Sequence, residues 1–219
     1  MSRAFNIGIR DWHWLKENPV QKITKPKENK PKERYLEEVE IKNLLDVCRK
    51  SKSPHLFSFV VLALATGARK GEILGLKWSD IDFNRATATF RDTKNSETRT
   101  VFLSEFALNT LRTGLKKNIE LSAFVFPNMD GKRPADIREA WERAVQQAGL
   151  GKDVTIHSLR HTVASHLSMR SFSTLEIGKI LGHKTLSQLK RYSHLSVAST
   201  ATALNTMNDI ILGSFENAS

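Results

Sequence analysis

Six side chains of this 219-residue chain could together act on a phosphate group. They are two arginines, a lysine, two histidines and a tyrosine: Arg69, Lys94, His157, Arg160, His183 and Tyr192. An arginine presents a planar fork that can bind two oxygens of one phosphate. Histidine and lysine can move protons near neutral pH if their surroundings adjust their pKa values, and a tyrosine hydroxyl can attack phosphorus to form a covalent ester. The set therefore indicates phosphoryl transfer.

Taken alone, the residues around the two arginines also have ordinary structural explanations. His157 and Arg160 lie three residues apart on a predicted helix and share a face, but the start of a helix can simply be solvated. Arg69 begins a predicted short helix, whose free amides favour an anion. It could instead be a surface arginine paired with Glu72, and that carboxylate could equally orient Arg69 within a site. His161 is explained by helix packing, so we place it outside the predicted site.

The other three candidates have alternatives of the same kind. Lys94 lies in a predicted hairpin connection with Arg91 and Arg99 nearby, which could be a solvated basic turn. His183 follows a glycine and could cap the C-terminus of a helix, where a cation is favourable. Tyr192 could be an amphipathic ring on the surface.

The joint order of the motifs is more specific than any one of them. Residues 66–72 read Thr-Gly-Ala-Arg-Lys-Gly-Glu, residues 157–162 read His-Ser-Leu-Arg-His-Thr, and residues 181–183 read Leu-Gly-His. Tyr192, one of only two tyrosines, follows them. This arrangement resembles the tyrosine recombinase family, also called the phage integrase or lambda-integrase-like family, from about residue 34 to residue 195.

The resemblance implies a site-specific DNA recombinase that cuts and rejoins strands through a 3′-phosphotyrosine, and that integrates or excises a prophage or similar mobile element. It implies that Arg69 and Arg160 bind the scissile phosphate, that His157 and His183 are the site histidines, and that Tyr192 is the nucleophile. His157 is then the candidate base, and Lys94 is the candidate acid.

No cluster of Asp, Glu, Cys or His in the sequence suggests a metal site and no glycine-rich phosphate loop occurs, so we predict no cofactor and no metal. The implied partner is double-stranded attachment-site DNA, bound by a homotetramer with accessory DNA-bending and directionality factors. Two alternatives stay open. A type IB topoisomerase shares this chemistry but reseals the same strand, and a DNA-binding module would have no catalysis at all.

Composition favours an anionic partner. The net charge is +11 and the isoelectric point is about 9.9, which points most simply to nucleic acid. The longest apolar run, Phe59 to Ala65, is far too short to span a membrane. Cys48 is the only cysteine, so no internal disulfide can form, and we expect it to fill the core. Composition therefore predicts a soluble protein of a reducing, DNA-containing compartment, and together with the resemblance we predict a cytoplasmic, nucleoid-associated protein of a bacterium.

The predicted fold class is α+β, mainly α-helical with a small antiparallel β-hairpin or sheet, which is the catalytic-domain fold of the resembled family. Residues 1–34 are predicted to be the end of a truncated core-binding domain plus a basic linker, with the linker over residues 18–34. Residues 35–219 are predicted to be the catalytic domain with a C-terminal tail helix. An apolar stripe in that helix could pack on its own domain or on a neighbouring subunit.

Periodicity, capping and turn residues predict the individual elements. Helices are expected at 36–50, from Ser53-Pro54 to Gly67, at 71–76, 104–119, 134–148 and 157–170, from a capping box at 173–176, and at 185–195 and 196–212. Strands are expected at 86–90 and 99–103, joined by residues 92–97, and residues 124–126 are expected to form a short buried strand or loop.

Overall fold

The structure is a computed structural model that describes residues 2–24, 34–91, 98–118, 122–132 and 134–182. The α-helices within these ranges are α1 (Ser2–Arg10), α2 (Glu38–Arg49), α3 (Leu56–Thr66), α4 (Lys70–Leu74), α5 (Glu105–Asn118), α6 (Arg138–Gln147), α7 (Ile156–Met169) and α8 (Thr174–Leu181). The strands are β1 (Ile81–Asp82), β2 (Thr87–Arg91) and β3 (Thr98–Phe102). Short 3₁₀ helices occur at Pro19–Lys22 and Trp78–Asp80.

The predicted fold class is confirmed. The described residues are mostly helical, and the three strands form one antiparallel sheet in the order β1-β2-β3. In the predicted hairpin, Thr89 lies opposite Thr100 and Phe90 lies opposite Arg99. The sequence did not predict β1, because two residues are too few to show the alternation of a strand.

Helix α3 forms the centre of the core, as its apolar sequence predicts. Phe59, Val60, Leu62 and Ala63 are at most 2% exposed, so most of the helix surface is buried. It packs against α2, α5 and α7. Helix α7, which carries His157 and Arg160 on its first two turns, also packs against α8.

Each predicted helix that falls within the described residues is present, but some of the helix ends are shifted. Helix α3 begins at Leu56, because Pro54 and His55 form a turn before it, and not at Ser53-Pro54. Helix α6 begins at Arg138, four residues later than predicted, because Pro134 lies in a bridge with Pro127. The capping box of α8 is confirmed, since the backbone N–H of Glu176 donates to Ser173 Oγ and that of Ser173 donates to Glu176 Oε2.

The chain divides into two compact units, Met1–Lys32 and Glu33–Ser219. In the first unit, the predicted linker is not extended from its start, because Asn18 Oδ1 accepts the backbone N–H of Val20 and begins the 3₁₀ helix with Pro19 as its first residue. Asn18 Nδ2 also donates to Ser2 Oγ and Asn6 Oδ1, which ties this turn to α1.

In the second unit, Cys48 is 1% exposed within the core, as predicted, and burial raises the pKa of its thiol to about 12. Residues 124–126 form a loop that joins Lys77 through one bridge at Phe124. Across the described ranges, no helix is both long and apolar enough to cross a membrane. The two predicted helices after residue 184 lie outside the described residues.

Candidate active site

Three of the six predicted site residues lie in the described part of the chain: Arg69, His157 and Arg160. Lys94, His183 and Tyr192 lie outside it. The structure nevertheless describes β2 and β3, the strands on either side of Lys94. It also describes the chain up to Gly182, the residue before His183.

Gly67 brings three helices together next to Arg69. It ends α3 with a left-handed backbone, φ 61°, which glycine adopts without strain. A Cβ atom placed on it would lie 2.2 Å from Leu181 Cδ2 and 3.3 Å from Val163 Cγ1. The turn before Arg69 can therefore pack directly against α7 and α8 only because residue 67 has no side chain.

Arg160, in α7, stabilises this junction of α3, α7 and α8 through hydrogen bonds. Its side chain is 3% exposed; Nη1 donates to the carbonyl oxygen of Gly67 and Nη2 to that of Leu181, both at 2.7 Å. These carbonyls lie at the C-terminal ends of α3 and α8, where helix dipoles favour a cation. One guanidinium thus holds together the segment that leads to Arg69 and the segment that leads to His183.

Arg69 itself is anchored by Glu72 in α4. Arg69 Nη1 donates to Glu72 Oε1 at 2.7 Å, and the Arg69 backbone N–H donates to Glu72 Oε2 at 2.8 Å. The pairing that the sequence suggested is therefore present, although it occupies the backbone amide that was expected to favour an anion. The Arg69 side chain is 39% exposed, whereas Glu72 is only 6% exposed. Arg69 is thus anchored to a buried carboxylate while part of its side chain remains accessible to solvent.

The sequence did not single out Arg99, which is the second partner of Glu72. Arg99 Nη1 donates to Glu72 Oε1 at 3.0 Å and Nη2 to Glu72 Oε2 at 2.9 Å. Its side chain is only 17% exposed, so it does not belong to a solvated basic turn. One signal could have found it: Arg99 shares the inward face of β3 with Val101, and a charge at such a position requires an opposite charge.

Two opposed effects act on the carboxyl group of Glu72. Burial acts to raise its pKa, but the hydrogen bonds from Arg99 and from the Arg69 backbone outweigh burial and hold the pKa below its ordinary value. Glu72 is therefore ionised at neutral pH and can attract both guanidinium groups.

Glu72→Gln is expected to lower the free energy of unfolding at pH 7 by about 3 kcal/mol, because it leaves the largely buried Arg99 without its counter-charge. The folded pKa is below the unfolded one, so the stabilising contribution is fully present above about pH 4.3 and is lost as the pH falls through the folded value. Urea denaturation of both proteins at a series of pH values measures the difference. It should be constant near neutrality and shrink in acid.

Glu142→Gln provides the matched control, because Glu142 is 61% exposed in its pair with Arg138 and exposed pairs contribute little. The role assigned to the Glu72 carboxylate would be contradicted if the loss of unfolding free energy in Glu72→Gln stayed the same on acidification. A loss no larger than that of the control would also contradict it.

His157 is exposed on the first turn of α7. Its ring meets that of His161 edge to face, with centroids 4.7 Å apart. His161, which we placed outside the predicted site, is therefore the immediate neighbour of a site candidate. His157 is exposed, whereas Arg160, on the next turn of the helix, is buried.

A recess of about 720 Å³ opens beside Arg69. Lys77 and Arg91 also line it, and its acidic members are already engaged: Glu72 by the two arginines, and Asp80 by Arg91 at 3.1 Å. The recess therefore suits an anion. The described residues contain no group of histidine, cysteine and acidic side chains that could hold a metal ion.

The fold defined by these elements is that of tyrosine recombinase catalytic domains. The solved catalytic domain of the bacteriophage HP1 integrase is similar, with a TM-score of 0.61 and 32% identity, over 78% of this chain and 93% of that one. The model of the phage integrase family matches residues 34–199, and the chain belongs to this family.

Two curated relatives show the same similarity. The shufflon-specific DNA recombinase of Escherichia coli is 34% identical over 196 residues, which cover 89% of this chain and 49% of the relative. The integrase of Haemophilus phage HP1 is 33% identical over 193 residues, which cover 87% of this chain and 52% of the relative. The chain thus spans about half the length of the curated relatives it matches.

Proposed function

We propose that the chain is the catalytic part of a site-specific DNA recombinase that cuts and rejoins strands through a 3′-phosphotyrosine, as in the integration or excision of a prophage or similar mobile element. The observation that carries the proposal is the position of Arg160. Its guanidinium holds the turn before Arg69 and the end of α8 before His183, so three separate motifs converge where one phosphate could be bound.

The reaction follows from the chemistry of these side chains. The Tyr192 hydroxyl attacks the scissile phosphorus and passes its proton to His157 as the base. The bond from phosphorus to the 5′ oxygen breaks, and Lys94 protonates that oxygen. Charge that develops on the non-bridging oxygens is stabilised by Arg69, Arg160 and His183.

Strand exchange is the reverse of this reaction. The 5′-hydroxyl of another strand attacks the phosphotyrosine, a new phosphodiester forms, and the tyrosine hydroxyl is released. The phosphotyrosine linkage has an energy similar to that of the DNA phosphodiester that it replaces. Rejoining the strands therefore needs no nucleotide hydrolysis. The net charge of +11 suits the DNA substrate.

The proposed assembly is a homotetramer on double-stranded attachment sites, aided by DNA-bending and directionality factors, in the bacterial cytoplasm at the nucleoid. The first unit is proposed to be the end of a core-binding domain followed by the basic linker. The names of the relatives, a DNA recombinase and an integrase, favour strand exchange over topoisomerase-like relaxation.

A library of nicked duplexes with randomised arms tests the function without knowledge of the attachment site. A nick a few nucleotides to the 3′ side of the scissile phosphate lets the short fragment that carries the free 5′-hydroxyl diffuse away. Religation is then prevented, and covalent protein–DNA adducts accumulate and can be sequenced. Adducts enriched in one sequence support the proposal. Adducts without sequence preference, together with plasmid relaxation, would favour the topoisomerase alternative, and DNA binding with no adduct would favour the non-catalytic module.

Cleavage is expected to continue in excess EDTA. In the proposed mechanism, side chains supply all of the charge stabilisation and both proton transfers, so removal of divalent metal should leave the rate of adduct formation unchanged. The same single-turnover assay with Mg²⁺ and with EDTA measures this. A strict requirement for Mg²⁺ in the cleavage step would overturn the mechanism.

A further inference from the structure

Arg99 is placed to act on Arg69 without touching a substrate itself. Each oxygen of Glu72 accepts one of its Nη groups, and Oε1 also accepts Arg69 Nη1. The Arg99 guanidinium also lies over the ring of Phe90, 5.2 Å from the centroid. The edge of its guanidinium plane is therefore bound by a carboxylate, and one face of that plane packs on an aromatic ring.

The charges of this cluster explain why one arginine is not enough. Glu72 and Arg69 alone form a neutral pair, and a neutral pair offers little net attraction to a phosphate. With Arg99 the cluster of two cations and one anion carries a net charge of +1. Because Arg99 is 17% exposed and Arg69 is 39% exposed, the surplus positive charge faces solvent through Arg69.

Arg99 also fixes the other side of the site. A Cβ atom placed on Gly182 would lie 3.1 Å from both Cδ and Nη1 of Arg99, so the arginine packs closely on the last described residue before His183. Among the described residues its buried Nε has no hydrogen-bond partner. Its hydrogen bonds in this region are therefore concentrated on Glu72.

We propose that Arg99 is a positioning residue that neutralises Glu72, so that Arg69 keeps both its orientation and its full charge for the scissile phosphate. The inference rests on the proposed function, since it deepens the role of Arg69 in that reaction. It makes Arg99 act through Arg69 and not on the DNA.

The test compares two suicide half-sites in single-turnover cleavage. One carries the normal phosphodiester, and the other carries a methylphosphonate, in which a methyl group replaces one charged oxygen. Arg99→Met should slow cleavage of the phosphodiester about 10- to 100-fold, less than the loss of the donor itself. It should slow the methylphosphonate much less, because that substrate has less charge to neutralise. Arg99→Lys keeps the charge but not the fork, and should recover part of the rate.

Two controls separate positioning from loss of stability. Leu44→Ala leaves a cavity in α2, at a side chain that is 0% exposed, and should lower stability without changing the ratio of the two substrate rates. In an Arg69→Ala background, Arg99→Met should cause little additional loss, because residues that act through one another are not additive. Equal losses on both substrates, or fully additive losses, would overturn the proposal.

A measurement without DNA keeps this test separate from that of the proposed function. The Nε–H signal of Arg69, assigned with Arg69→Lys, reports the mobility of its guanidinium through the NMR order parameter. Arg99→Met should lower that order parameter, and an unchanged value would overturn the positioning role even if the wild type forms no adduct. If the wild type forms no adduct but Arg99→Met does mobilise Arg69, the proposed function fails and the positioning contact stands.

Discussion

Replacing Tyr192 with phenylalanine is expected to abolish covalent attachment to DNA and to leave DNA binding close to that of the wild type. The change removes only the hydroxyl group, which is the proposed nucleophile, and keeps the ring. A suicide substrate followed by a denaturing gel measures the adduct, and gel shift under native conditions measures binding.

The chain offers a matched control for this experiment, because Tyr35 is its other tyrosine. Tyr35 meets the ring of His166 edge to face at 6.3 Å, a contact that phenylalanine preserves. Tyr35→Phe should therefore form the adduct normally. A normal adduct band from Tyr192→Phe would refute the assignment of the nucleophile, and its loss from both variants would show that the assay does not report on one hydroxyl.

The second large effect is expected at the two arginines. Arg69→Ala and Arg160→Ala should each slow cleavage by ~10²–10³, the usual cost of one preorganised oxyanion donor. Lysine should rescue poorly at either position, because it lacks the planar fork. Single-turnover rates on the same substrate measure both effects, and rates within a few-fold of the wild type in both alanine variants would contradict the assignment.

The two alanine variants are expected to differ in thermal stability. Arg160→Ala leaves the carbonyl oxygens of Gly67 and Leu181 without their donor, at about 1–3 kcal/mol for each buried group, so its thermal midpoint should fall clearly. Arg69→Ala should change the midpoint much less, because Arg99 still pairs with Glu72. Melting curves measured beside the kinetics check this difference, and equal shifts would contradict it.

Local signals allowed much of the fold to be predicted. Ser173 and Glu176 define the start of α8 within four residues, and the apolar run of α3 identifies the central helix whatever its neighbours are. Helix ends were mispredicted where a proline can either begin a helix or precede it, as at Pro54. Strand β1 could not be predicted because its pairing with β2 is a property of the sheet.

The candidate site was predictable as a set of motifs but not as a set of contacts. Glu72 was recognised as a partner of Arg69 because the two are three residues apart. Its second partner, Arg99, is 27 residues away, and it reaches Glu72 because β3 pairs with β2, which packs against α4. That Arg160 binds carbonyl oxygens could not be read from side-chain types at all.

Those carbonyl acceptors have a consequence for how the protein can change. No substitution at position 67 or 181 removes a main-chain oxygen, so the two bonds of Arg160 depend on the course of the backbone and not on the residue types it carries. Apart from Gly67, where a side chain would clash with Leu181, substitutions around the junction are then tolerated as long as α3 and α8 end in the same places, whereas a one-residue insertion or deletion in either helix would misplace an acceptor. Mutational scans of this region should therefore find position 181 open to other apolar residues and closed to changes in length.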